Sequence, residues 1–143
     1  MTLLCIDFET YYSASYGLTK WTTEAYVRTR RFQVIGVSVQ ENDGKPKWFS
    51  GSKVQTRVFL EQYDWANATV IAHNAMFDMA ILNWVFNIIP KKIVDTLAMS
   101  RALHSVEVGH SLAALSEYYK LGVKGTEVQD AKGKRRADFS PEE

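Results

Sequence analysis

Asp7 and Glu9 stand two residues apart at the end of an apolar run, Leu3-Leu4-Cys5-Ile6. A run that nothing polar interrupts reads as a buried strand. Side chains alternate along a strand, so Asp7 and Glu9 share one face while Ile6 and Phe8 point to the other. Two neighbouring carboxylates at the end of a buried strand repel each other, and each resists leaving water. A divalent cation relieves both strains. The pattern therefore points to a metal site on a sheet, with further ligands to come from elsewhere.

His73-Asn74-Ala75-Met76-Phe77-Asp78 is the second stretch with chemistry in it. Asp78 falls in the first turns of a predicted helix, on a row that continues through Leu82 and Val85. Taken alone, it reads as a complement to the positive helix end. Beside Asp7 and Glu9 it reads as a third carboxylate facing the same crevice. The strand ending at Ala72 can pair beside the first strand, and ligand crevices form at such carboxyl ends. Asn74 is expected to cap the helix and His73 to be a hydrogen-bonded junction residue. Three carboxylates without clustered histidine or cysteine select Mg²⁺ or Mn²⁺ over zinc.

The elements that must position these groups are legible in outline. Residues 2–9 form the first strand. Residues 10–31 are an extended connection with a short helix near Thr23 to Arg28. Residues 32–41 alternate as a second strand, Asn42-Asp43-Gly44-Lys45 is a hairpin turn, and Lys47-Trp48-Phe49 is a third strand. A helix starts near Lys53, with Val54, Val58, Phe59 and Tyr63 as its apolar side. Thr69 to Ala72 is a short strand. A helix follows from Ala75 to about Asn87, with Pro90 stopping it. Lys92 to Val94 is a fifth strand, and helices over 96–104 and 112–121 complete the order, Gly122 ending the last. The expected fold is α/β: a mixed five-stranded sheet flanked by helices, an antiparallel meander of three strands plus two parallel strands, with the first strand central.

The chain has 143 residues, 46% of them hydrophobic, which suits one domain with a real core and argues against disorder. A net charge of +1 sets up no global field toward nucleic acid, so binding must use local patches. Cys5, the single cysteine, excludes an internal disulfide and reads as a small apolar packer. Asp7 and Glu9 interrupt the N-terminal apolar stretch, which argues against a secretory signal. No apolar run approaches the ~18 residues that span a bilayer. The expectation is a cytoplasmic protein that engages no membrane.

Asp7-Phe8-Glu9-Thr10 and Asn74-x-x-Phe77-Asp78 resemble the first two motifs of the DEDD-type 3′–5′ exonucleases, which have an RNase H-like fold. The match is nearest to the proofreading domain at the N-terminus of phage family A DNA polymerases. Phe32 to Val39 and Asp95-Thr96-Leu97 also fit the pattern. The resemblance implies a two-metal hydrolysis that removes 3′-terminal nucleotides of DNA. Asp7 would bridge both metals, Glu9 would bind the one that activates water, and Asp78 would hold the second largely through water. Thr10, with Asn74 and Phe77, would contact the terminal nucleotide. The implied partners are a single-stranded 3′ end and a polymerase domain in the same full-length chain. A phage-encoded protein would work in the host cytoplasm.

The family also needs a fourth acid, on a Tyr-x-x-x-Asp or His-x-x-x-x-Asp motif, and none is found. Tyr118 and Tyr119 are followed four residues on by Gly122 and Val123, and His110 five residues on by Leu115. Asp95 is the nearest substitute, but its place between strand and helix suits capping. Ser140-Pro141-Glu142-Glu143 reads as a helix start. The expectation is an exonuclease-like domain over residues 1–143 truncated before its third motif, and weak or inactive as a fragment. The alternative is a non-catalytic nucleic-acid-binding or scaffold module. Aromatics and cations interleave over residues 10–31 as single-strand binding requires, although most of the aromatics are expected to pack. The run from Lys132 to Arg136 is a solvated loop or a phosphate contact. Trp48, Trp65 and Trp84 are expected in core or cleft walls.

Overall fold

The computed structural model describes residues 1–122 and 130–139. The helix start expected at Ser140 to Glu143 lies outside the described residues. In chain order the elements are β1 (Thr2–Thr10), α1 (Thr23–Arg28), β2 (Val34–Glu41), β3 (Lys47–Phe49), α2 (Lys53–Leu60), β4 (Ala68–Ala72), α3 (Ala75–Ala80), β5 (Lys92–Asp95), α4 (Thr96–Leu103) and α5 (Leu112–Tyr118). The strands form one sheet in the order β3-β2-β1-β4-β5. β1 pairs antiparallel with β2, β2 antiparallel with β3, and β1–β4 and β4–β5 are parallel. The expected mixed sheet, with β1 at its centre, is the one observed.

Alternation along β1 decides which face builds the core. Leu4, Ile6 and Phe8 are buried and join Val37, Val39, Val70, Leu82 and Phe86 in one cluster. Each such side chain contributes about 1.5–3 kcal/mol by leaving water. The opposite face differs from the expectation of a strand buried on both sides. Cys5 and Asp7 are exposed, and Cys5 is therefore not a core packer. An apolar residue at position 5 gives the run the pattern of two-faced burial, but the sheet buries only the even positions.

The helices show similar adjustments. α2 begins on a capping box, Ser52 accepting from the Gln55 N–H and Gln55 from the Ser52 N–H. Its inward residues are Thr56 and Leu60, whereas Val54 and Val58 face solvent, 72% and 57% exposed. α3 continues as one π-helical turn over Ile81–Val85. Asn87, with φ 55°, breaks the helix before Pro90 can. α5 ends in a Schellman motif in which Lys120, not Gly122, takes the left-handed position (φ 56°). Leu121 N–H reaches the Ser116 carbonyl and Lys120 N–H the Glu117 carbonyl. The hairpin turn is as expected: Asn42 adopts φ 48°, and its side chain accepts from Leu3 N–H at 2.9 Å.

Residues 11–22 hold their path through stacked aromatics. Tyr16 and Tyr26 are buried, with ring centroids 4.5 Å apart, and Trp21 meets Tyr16 edge-on at 5.4 Å. Packing is thus the main work of these aromatics. Trp65 is buried and donates its indole N–H to the Leu60 carbonyl. No helix among the described residues is long and apolar enough to cross a membrane.

Candidate active site

β1 carries Asp7 and Glu9 on the open face of the sheet, Asp7 exposed and Glu9 half-buried. A bulge between Glu9 and Thr10 shifts the register against β2, where Glu9 faces Gly36 and Thr10 faces Val34. β4 runs parallel beside β1, and the chain then reverses through Asn74 into α3. That reversal brings Asp78 under β1. Asp78 is 3% exposed, and its Oδ1 accepts the Phe8 backbone N–H at 2.9 Å. The residue between the two β1 carboxylates is therefore tied directly to the third.

Burial dominates the electrostatics of Asp78. Desolvation pushes its carboxyl from 3.8 up to about 7; the Phe8 N–H opposes the shift, and the charges of Asp7 and Glu9 add to it. The three carboxylates therefore share one field. Their side chains do not converge to direct ligation in this conformation: among the described residues no group of three or more His, Cys, Asp or Glu is placed to hold an ion. The donor chemistry nevertheless fits a hard cation, since all three groups are carboxylates and the buried one is disfavoured as an anion first by desolvation and then by the other two charges.

Asn74 behaves differently from a side-chain cap. It sits at the N-cap of α3 with φ 64° and makes no side-chain cap bond. Asparagine tolerates this left-handed geometry, which the reversal requires. Its N–H donates to Asp95 Oδ1 at 3.0 Å, and it lines neither cleft beside the carboxylates. Asp95 also accepts from Leu97 N–H at 2.9 Å and Ala98 N–H at 3.5 Å, so it caps α4. Partial burial opposes ionisation, but these N–H bonds hold its carboxyl below the usual range. Asp95 thus clamps α4 to the reversal that delivers Asp78. His73 is a junction residue, bonded to Thr96 Oγ1 at 2.9 Å and the His110 carbonyl at 2.8 Å.

Two clefts flank the carboxylates, and Glu9 and Thr10 line both. The larger, about 590 Å³, is bounded by Tyr12, Leu18, Tyr26, Phe77 and Lys132. The smaller, about 360 Å³, contains Asp7, Ser38, Trp48, Ala131 and Phe139. Thr10 Oγ1 lies 2.8 Å from the Tyr26 hydroxyl, which donates to the Tyr11 carbonyl. Burial pushes the Tyr26 phenol up to about 12, so it keeps its proton. With that proton committed to Tyr11, Thr10 must donate to Tyr26, and its oxygen has only lone pairs left to offer. Sequence reasoning missed Phe139, and it saw Tyr26 only as one of several interleaved aromatics and Lys132 only as part of a basic run; their places here depend on contacts that no local spacing encodes.

Trp48 is seated on Gly36 beside Glu9. A Cβ at position 36 would lie 2.3 Å from the Trp48 ring and 2.9 Å from the Phe49 carbonyl. Gly36→Ala is expected to displace the indole and strain the β2–β3 pairing, destabilising the fold by about 1–3 kcal/mol. Urea unfolding monitored by circular dichroism measures this; an unchanged midpoint would show that the strand shifts freely.

A family model described as 3′–5′ exonuclease matches residues 23–143, a span that includes Asp78 and begins after β1. Over 80 residues the chain is 31% identical to DNA polymerase III PolC-type of Latilactobacillus sakei subsp. sakei (strain 23K), covering 52% of this chain and 6% of that protein. Brucella melitensis NrnC bound to pGG superposes with a TM-score of 0.64 at 20% identity, over 95% of this chain and 62% of that one. A structure described as the apo form of the nuclease gives a TM-score of 0.68 at 21% identity, over 98% and 61%. NrnC with bound Mg²⁺ gives 0.62 at 18%, over 95% and 65%. The chain thus spans less than two thirds of the length of these relatives. The structural likenesses show that the sheet is the RNase H-like one. With the family model spanning most of its length, the chain belongs to the 3′–5′ exonuclease family.

Proposed function

We propose that this chain hydrolyses the terminal phosphodiester at the 3′ end of a single-stranded nucleic acid, with DNA as the substrate and proofreading for an attached polymerase as the setting. The observation that carries the reading is the buried Asp78 bonded to the backbone between Asp7 and Glu9. Three carboxylates in one field, at the carboxyl end of a central strand, suit Mg²⁺ or Mn²⁺. Asp7 and Glu9 would be direct ligands and Asp78 would act through water. Such cations would supply charge stabilisation to the attacking and leaving oxygens of an in-line displacement. The polymerase setting is supported by the likeness to a PolC-type polymerase. NrnC with bound Mg²⁺ supports the cation.

The chain's own residues bind and orient. The larger cleft takes the terminal nucleotide, with Phe77 and Tyr26 as an apolar wall. Thr10, restricted to accepting, takes a hydrogen bond from the terminal sugar hydroxyl. Asn74 acts at one remove, by fixing the reversal through Asp95. The full-length gene product, given single strands labelled at either end, should release mononucleotides from the 3′ end in Mg²⁺ and none in EDTA. A 3′-phosphorylated strand should resist. Cleavage in EDTA, or release from the 5′ end, would overturn the reading.

A further inference from the structure

We propose that a basic groove behind the carboxylates holds the backbone of the single strand upstream of its 3′ end. Two adjoining clefts of about 450 and 360 Å³ share Phe32, Lys53 and Val85. The first is walled by Arg30, Lys53, Arg135 and Arg136; the second adds Arg28 and the half-exposed Trp84. Among the described residues, no Asp or Glu lines either cleft. These cations come from distant parts of the chain, and specific contacts bring them together. Arg136 N–H donates to Gln33 Oε1 at 3.1 Å across 103 residues, and the Arg135 guanidinium stacks 4.1 Å over Tyr11. The run from Lys132 to Arg136 is thus a docked wall, not a free loop.

The groove lies beside the site, its lining separate from that of the two carboxylate clefts. Tyr11 N–H donates to the Gln33 carbonyl at 2.9 Å, and Thr10 pairs with Val34, so the groove opens just past the end of β1 that bears Glu9. Its chemistry combines backbone-neutralising cations with aromatic faces, the pairing that single strands use. Arg28 lies 4.5 Å over the Trp84 ring, and its ion pair with Glu24 is exposed and weak. A purely solvated basic face would have no reason to converge on Phe32 and Trp84.

The inference rests on the nuclease reading, and the test separates the two. The 143-residue chain is titrated in EDTA, where cleavage cannot occur, against fluorescent single-stranded DNA and RNA of about ten nucleotides at several salt concentrations. Arg30→Glu/Lys53→Glu should weaken binding about tenfold or more. The log–log salt slope should become shallower by about 0.7 for each phosphate that the variant no longer neutralises. Lys91→Glu/Lys92→Glu, an equal charge change at the start of β5 on the far end of the sheet, should have much less effect. Circular dichroism checks folding, and Lys53→Gln gives the same slope test should the double variant unfold. Equal weakening in the two double variants, or an unchanged slope, would overturn the groove. Nuclease failure with intact groove binding would overturn only the catalytic reading.

Discussion

An Asp7→Ala variant of the full-length gene product is expected to lose about 10³-fold or more of its Mg²⁺-dependent release of 3′ nucleotides. A metal-binding carboxylate supports several kcal/mol of charge stabilisation in the transition state. A loss of about 4 kcal/mol corresponds to about 10³ in rate. The structure separates this effect from unfolding. Asp7 projects from the open face of β1, while Leu4, Ile6 and Phe8 on the other face hold the strand in the core. Truncating an exposed carboxylate outside the core should alter stability by no more than about 0.5 kcal/mol. Removing its repulsion with Asp78 works in the stabilising direction. Matched thermal unfolding and initial-rate measurements test both halves, and any polymerase activity in the same protein should be untouched. Retention of activity within tenfold would show that Asp7 is not a ligand.

How much of this was legible in the sequence depends on the range of the interaction. β1 and its pairing announced themselves through an apolar run ending in two carboxylates, and the hairpin through Asn42 to Gly44. The αL reversal at Asn74 was visible only as a helix start, because a cap and a left-handed turn favour the same residue. The apolar side of α2 was legible only in part: Phe59 and Tyr63 pack against the core, but valines at 54 and 58 satisfy helical spacing while pointing outward. Thr56, which faces in together with Leu60, is polar by type. In the site, Asp7, Glu9 and Asp78 were legible as chemistry in a pattern. The bond from Phe8 N–H to Asp78, which joins the two motifs, spans 70 residues and has no local signature. The same holds for Tyr26 against Thr10, and for Phe139 and Lys132 beside the clefts. Long-range contacts of this kind are set by the packing of the whole sheet.

Asp78 carries the second large expected effect, on stability. In the ion-free chain its folded-state carboxyl titrates at about 7, against 3.8 when unconstrained. The folded protein therefore holds a proton that the unfolded chain has already released. Between these values the folded state binds more protons, so stability falls as pH rises. The contribution is whole below about pH 4 and lost as pH passes through about 7. Each unit is worth about 1.4 kcal/mol, so the span sets an upper bound of about 4 kcal/mol. Asp78→Asn keeps an oxygen for the Phe8 N–H and carries no charge to desolvate. The variant should match the parent near pH 4 and exceed it by up to that bound at pH 8, measured by urea unfolding in EDTA. Groups that titrate in both proteins cancel in this comparison. Millimolar Mg²⁺ should then narrow the gap at pH 8 by stabilising the parent more than the variant, because a cation bound to the folded state favours the Asp78 anion that burial and the neighbouring charges disfavour. Parallel pH profiles would place the Asp78 carboxyl in its ordinary range. A gap that Mg²⁺ leaves unchanged would separate the buried carboxylate from any ion.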